Sequence, residues 1–125
     1  MSQVFAFGGH LPASLYRVYA KAAQIVNPPK TWVLVDEHPD SINDAAFALK
    51  MAEPGATSAE IVDYPASFHH GASGLSFADG HSEIHHWRGS TIKPRVTGNY
   101  LSRPVPAGDS VNDIIWFSDV TTVRK

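Results

Sequence analysis

Gly74-Leu75-Ser76-Phe77-Ala78-Asp79-Gly80-His81-Ser82-Glu83-Ile84-His85-His86 is the stretch whose reading decides the fold. An Asp-Gly pair between two alternating runs signals a β-hairpin, because a two-residue type I′ turn needs positive φ at both central residues. With Asp79 and Gly80 as the turn, Phe77 pairs with Ser82, Ser76 with Glu83 and Leu75 with Ile84. Leu75, Phe77 and Ile84 then share a buried face. His81, Glu83 and His85 line the opposite face at every second position, as strand geometry requires.

Working outward, residues 31–35 are β-branched and aromatic with a continuous apolar run, which predicts a central strand. Residues 15–26 carry apolar side chains at 15, 18, 19, 22, 23, 25 and 26, the spacing of a short amphipathic helix ended by Pro28-Pro29. Residues 36–44 are too polar for either element and form a loop, and residues 45–51 resume a strand. Residues 56–67 fit no single element. Residues 89–106 hold three prolines and two glycines and read as irregular. Residues 114–117 form a short buried element, strand or helical turn. Period-two segments outnumber helical ones, so the expected class is α+β: mainly an antiparallel sheet with one or two short helices.

The chain's 125 residues suit a single domain, 1–125, with 43% apolar and 18% charged residues, globular values. A formal charge of −2 with scattered basic residues gives no footprint for nucleic acid. Arg88, Lys93, Arg95 and Arg103 read as a solvated basic loop. With no cysteine, disulfides, thiol catalysis and thiolate metal sites are excluded. No apolar run reaches the roughly 18 residues of a spanning helix, so no membrane span is expected.

Chemistry concentrates in two places. The segment 36–44 supplies Asp36, Glu37, Asp40, Ser41, Asn43 and Asp44, the oxygen-rich set a hard cation such as calcium takes at flexible spacing. It lacks the EF-hand pattern, and the alternative is an acidic turn in which Asp40 or Asp44 caps the next element. Oxygen ligands favour calcium over zinc. The histidines His69, His70, His81, His85 and His86 fall within eighteen residues. His81, Glu83 and His85 have ligand spacing for a transition metal, with His69 or Asp79 completing a tetrahedron. The other reading has the His69 imidazole hydrogen-bonding the tight turn or the acidic loop, pinning one to the other. No Gly-x-Ser-x-Gly elbow is present. An enzyme built here would hydrolyse a small ester or lactone at a metal-bound water, with Asp36, Asp40 or Asp79 holding the ion and His69 or His38 moving protons.

His69, nine residues, then Asp79-Gly80 resembles the His-x9-Asp-Gly signature of the prepilin-type processing-associated domain of pseudopilin-like proteins. The blocks Trp32-Val33-Leu34-Val35-Asp36-Glu37-His38-Pro39-Asp40-Ser41-Ile42-Asn43-Asp44 and Tyr64-Pro65-Ala66-Ser67-Phe68-His69 stand in the family's order, and Asp113-Ile114-Ile115-Trp116 is similar to its usual ending. The resemblance implies a pseudopilin-like head in the cell envelope, with other pseudopilin-like subunits as partners, and it adds weight to calcium in the acidic loop. Full-length members open with a leader and a long apolar helix. Met1-Ser2-Gln3-Val4-Phe5-Ala6-Phe7 runs instead into Gly8-Gly9, so the chain is expected to be the soluble head alone.

Overall fold

The computed structural model describes residues 1–5 and 11–125. The expectation drawn from the chain's start therefore falls partly outside the described residues. Three strands, β1 (Trp32–Val35), β3 (Ala72–Phe77) and β4 (Ser82–His86), form an antiparallel sheet in the order β1-β3-β4. A two-residue pair, β2 (Glu60–Ile61) with β5 (Val105–Pro106), forms a second antiparallel ladder. One helix, α1 (Val111–Asp119), follows a 3-10 turn at Gly108–Ser110. The class is α+β with a mainly antiparallel sheet, as the alternation predicts. Among the described residues, no helix is long and apolar enough to cross a membrane.

The hairpin forms, but with a three-residue loop rather than two. The Gly80 N–H donates to the Phe77 carbonyl at 3.0 Å, and the Phe77 N–H donates to the His81 carbonyl at 2.9 Å. Within the loop 78–80 only Gly80 takes positive φ, at 95°. That is a type I turn closed by a left-handed glycine, the usual three-residue hairpin. Asp79 drives it locally: its carboxylate accepts the His81 N–H at 3.2 Å and also bonds the His81 ring, an Asx-type turn. Ser76 consequently faces Ser82, Leu75 faces Glu83, and Gly74 faces Ile84.

A one-residue slip turns every side chain of a strand to the other side. Leu75 and Phe77 are buried as expected, but Ile84 points outward at 59% exposure. His81, Glu83 and His85 lie on the inner side with Leu75 and Phe77. The His81 ring stacks on Phe77, and the His85 ring lies flat on Trp116 of α1, with centroids 3.4 Å apart.

The core fills the space between this inner face and α1. Trp32 and Phe47 meet edge to face with centroids 5.7 Å apart, and Phe117 closes the triad at 5.1 Å from Trp32. The indole N–H of Trp32 donates to Thr121 Oγ1 at 2.9 Å, which satisfies the one polar atom of a fully buried side chain. Leu49, Ile61, Tyr64, Trp87, Ile92 and Ile114 complete the cluster. A smaller cluster of Val4, Leu11, Tyr16 and Tyr19 lies beside it.

Two other expectations differ. Residues 15–26 form no α-helix, only a 3-10 turn at Ala22–Gln24. The backbone there pairs with the chain ends instead: Arg17 N–H to Val123 O at 3.0 Å, Tyr19 N–H to Val4 O at 2.9 Å, and Lys125 N–H to Leu15 O at 2.9 Å. A twelve-residue helix is marginal by itself, and these long-range bonds outcompete it. Residues 45–51 contribute only an isolated bridge, Ser2 to Phe47, not a strand. The short buried element expected at 114–117 belongs to the longer helix α1.

Candidate functional site

The acidic segment leaves β1 alongside residues 64–66. The Ala66 N–H donates to the Asp36 carbonyl at 2.7 Å, and the His38 N–H to the Tyr64 carbonyl at 2.9 Å. Pro39 then starts a 3-10 turn, Pro39–Ser41, capped by His38, whose Nδ1 accepts the Asp40 N–H at 3.1 Å. His38 Nε2 donates to the Pro94 carbonyl at 2.9 Å. Both ring nitrogens are therefore committed to backbone, in a side chain only 1% exposed. Asp40 beside it accepts the Thr97 N–H at 2.8 Å and the Gly98 N–H at 3.2 and 3.3 Å, which shapes the loop that returns from β4.

One turn further on lies a dense polar cluster. Ser41 Oγ donates to Glu37 Oε2 at 3.0 Å and accepts the Tyr64 N–H, also at 3.0 Å. Arg103 Nη1 donates to the Ser41 carbonyl at 2.7 Å and forms a buried ion pair with Asp63. Its Nη2 donates to the Tyr100 hydroxyl, and its guanidinium carbon lies 4.8 Å from the centre of that ring. Asp63 also accepts the Ala48 N–H at 2.6 Å. Glu37 sits at the margin of this cluster, half-buried. Burial pushes its carboxyl from the ordinary 4.5 up to about 7; the neighbouring Asp63 carboxylate adds to the rise, while the Ser41 hydroxyl and the Arg103 guanidinium oppose it. A carboxyl that titrates near neutrality beside an arginine is the kind of group acid–base sites use. Ser41, fully buried with its hydroxyl engaged on both sides, is no nucleophile.

The structure separates the residues nominated for an ion. A calcium site needs six to eight oxygens converging on one point. Asp36 lies over Gly74 on the outer face of the sheet, close enough that a Cβ on Gly74 would sit 3.3 Å from Asp36 Oδ2. Glu37 turns into the Ser41 cluster, and Asp40 is surrounded by N–H donors, which repel a cation. Asp44 Oδ1 accepts the Ala46 N–H at 2.9 Å within its own loop, with no element following for it to cap, and Asn43 is exposed. Among the described residues no three His, Asp or Glu side chains are grouped to hold a metal ion. The six residues therefore point to separate places in this structure rather than to one centre. Of the trio His81, Glu83 and His85, both imidazoles are stacked on aromatics, His81 on Phe77 and His85 on Trp116.

His69 and Asp79 lie at opposite ends of β3. His69 is exposed in the turn before that strand, where the following His70 and Gly71 both take positive φ, at 53° and 82°. Among the described residues its imidazole makes no hydrogen bond, so it pins neither the tight turn nor the acidic loop. The bond to Asp79 comes from His81 instead, and it lowers the Asp79 carboxyl pKa.

Arg103 and Asp63 are the residues that sequence reading missed. Arg103 was expected in a solvated basic loop, and Asp63 lies in the stretch without an assigned element. A signal was present: Asp63 stands alone among Ile61, Val62 and Tyr64, and a charge inside an apolar run must find a partner. In comparisons with known proteins, no protein-family model, no curated protein and no solved structure matches the chain.

The Glu37 cluster carries a pH signature. A carboxyl whose folded-state pKa is raised holds its proton longer when folded, so stability falls as pH rises between about 4.5 and 7. Fully dry, a displacement of that size amounts to about 3 kcal/mol; partial exposure reduces it to on the order of 1 kcal/mol. Glu37→Gln is expected to lack this decline. Urea denaturation of the two proteins across that range measures the difference, and parallel stability curves would refute the assignment.

Proposed function

We propose that the chain is the head domain of a pseudopilin-like envelope protein, a structural and interaction module. The observation that carries this reading is how the motif residues are used. Glu37, His38, Asp40 and Ser41 from the first motif block spend their polar atoms bracing the loops at residues 63–66 and 94–103. Such use favours a rigid scaffold over a reactive centre. The order of the three blocks, and the mainly antiparallel sheet around the Asp-Gly hairpin, support the family. The polar network itself braces the loop.

The runner-up is a metal-dependent hydrolase of a small ester or lactone, and the observation in its favour is the Glu37 carboxyl titrating near neutral pH. One set of measurements separates the two. For the structural head, a panel of short esters and lactones should give no turnover above buffer, and saturating calcium or chelator should leave the melting temperature unmoved. Chelator-sensitive turnover that falls in Glu37→Gln or His69→Ala would overturn it. A photo-crosslinker at the exposed Phe68 should capture, in the cell envelope, a subunit that itself carries a pilin-type apolar helix. Recovery of cytosolic proteins alone would sink the family assignment.

A further inference from the structure

The two edges of the three-stranded sheet are treated differently. The outer edge of β1 is occupied: the Ser2 N–H donates to the Val33 carbonyl at 2.8 Å, and the Trp32 N–H to the Val120 carbonyl at 2.9 Å. A register irregularity between Trp32 and Leu34 further breaks that edge. β4 is less protected, with the inward-facing Glu83 as its one charged residue. It contains no lysine, no proline and no bulge, and it pairs with β3 without interruption from Ser82 to His86.

Antiparallel ladders alternate, so the residues of β4 divide into two sets. Phe77 and His81 form a hydrogen-bonded pair at one end, and the Trp87 N–H donates to the Gly71 carbonyl at 3.0 Å at the other. By that alternation Glu83 and His85 spend their backbone groups on β3. Ser82, Ile84 and His86 aim theirs outward, and no described residue bonds them. All three are exposed, Ile84 at 59%. The result is a row of N–H and C=O groups at every second residue, open to another strand.

We propose that β4 pairs antiparallel with β4 of a second copy of this chain, with Ile84 opposite the partner's Ile84 on a two-fold axis. The register is self-complementary in three respects. Ser82, Ile84 and His86 meet the partner's His86, Ile84 and Ser82, so each outward N–H finds a carbonyl. On the inner face Glu83 comes opposite the partner's His85, a carboxylate against an imidazole, and the reciprocal pair forms by symmetry. On the outer face the two Ile84 side chains meet beside a groove of about 560 Å³, floored by Gly74 and walled by Leu34 and Ile84, which the dimer makes continuous. Neighbouring registers lose this match. Sliding one step in one direction sets Glu83 against the partner's Glu83. Sliding the other way sets His85 against the partner's His85 and leaves Glu83 facing the partner's Trp87. The pairing makes one six-stranded sheet with both β4 edges consumed. It stands on the edge geometry alone and does not depend on the pseudopilin-like reading.

The chain has no cysteine, so a single introduced one reports on proximity without competition. Directly opposed residues in a hydrogen-bonded antiparallel pair lie about 5.5 Å apart at Cα, within disulfide reach. Under mild oxidation Ile84→Cys should form a covalent dimer about tenfold faster than Leu34→Cys, whose side chain is similarly exposed on β1, the gap between apposed and merely diffusing thiols. Sedimentation of the unmodified chain from micromolar to millimolar concentration should give a monomer–dimer equilibrium. Ile84→Lys, which sets two ammonium groups together, should weaken it about tenfold. An unchanged melting curve for Ile84→Lys would establish that its fold is intact. A strictly monomeric chain, equal cross-linking in the two cysteine variants, or undiminished dimerisation of a folded Ile84→Lys would each overturn the proposal.

Discussion

Arg103→Met is expected to lower the stability of this domain by about 3–5 kcal/mol, the usual cost of leaving one partner of a buried ion pair behind. Asp63 would keep the Ala48 N–H but lose its cation, in a side chain only 5% exposed. The Ser41 carbonyl would lose its donor, and the Tyr100 ring its stacked guanidinium. Without Arg103, one of the three groups that hold the Glu37 pKa down disappears, leaving the Ser41 hydroxyl and the N-terminal ammonium, so that carboxyl should titrate higher still. Arg103→Lys should recover part of the loss, because an ammonium restores charge but not a fork that reaches both Asp63 and Tyr100. Adding Asp63→Asn to Arg103→Met should also recover part, since no unpaired charge then remains. Denaturant midpoints at constant slope measure each step. A loss below about 1 kcal/mol in Arg103→Met would place the pair among weak surface bridges.

Gly89→Ala should be comparably severe, for a steric reason. A Cβ at this position would sit 2.1 Å from Ser110 Oγ and 2.7 Å from both the Asp109 carbonyl and the Ser110 Cα. Two of these atoms are backbone and cannot rotate away. The glycine lies where the chain leaving β4 is held against the start of α1. Asp113, 4% exposed, accepts the Arg88 N–H at 2.8 Å and the Gly89 N–H at 2.7 Å. Asp109 holds the next two residues, accepting N–H and hydroxyl donors from Ser90 and Thr91, which keep its carboxyl far below the usual range. Forcing the strands of this junction apart breaks the Asp113 bonds and strands buried amides, at about 1–3 kcal/mol each. The expected loss is about 3 kcal/mol or more. Asp113→Ala tests the same junction from the other side and should cost about 2–4 kcal/mol by orphaning both amides. A stable Gly89→Ala protein with unchanged unfolding would mean that the junction relaxes freely.

Sequence patterns carried much of the architecture. β-branched and aromatic residues at 31–35 and the alternation around Asp79-Gly80 foretold β1 and the antiparallel hairpin of β3 and β4, because strand periodicity is local and each position alternates regardless of context. The turn's exact length was not legible. Asp-Gly serves both a two-residue loop with two positive-φ positions and a three-residue loop with one, and a single Asx bond within the turn tips the balance. That bond moved Ile84 to the outside and His85 to the inside. Residues 15–26 misled for a related reason: seven apolar positions suit a helix face, yet the backbone was claimed by Val4, Val123 and Lys125, all distant in sequence.

The candidate site was half legible. Composition located the acidic segment, and Glu37, His38, Asp40 and Ser41 do form the polar centre of the molecule. Their roles were hidden, since the groups that define them come from elsewhere: Asp63 and Tyr64 from one loop, Pro94, Thr97, Gly98, Tyr100 and Arg103 from another. An isolated stretch rich in carboxylates looks like a cation loop because its donors are invisible. Local chemistry, meaning turn propensity, alternation and composition, determined which segments are strands and where charge accumulates. Only tertiary structure decided which carboxylate meets an arginine, which meets amide donors and which stays in water, because those energies depend on partners that folding brings from up to 62 residues away.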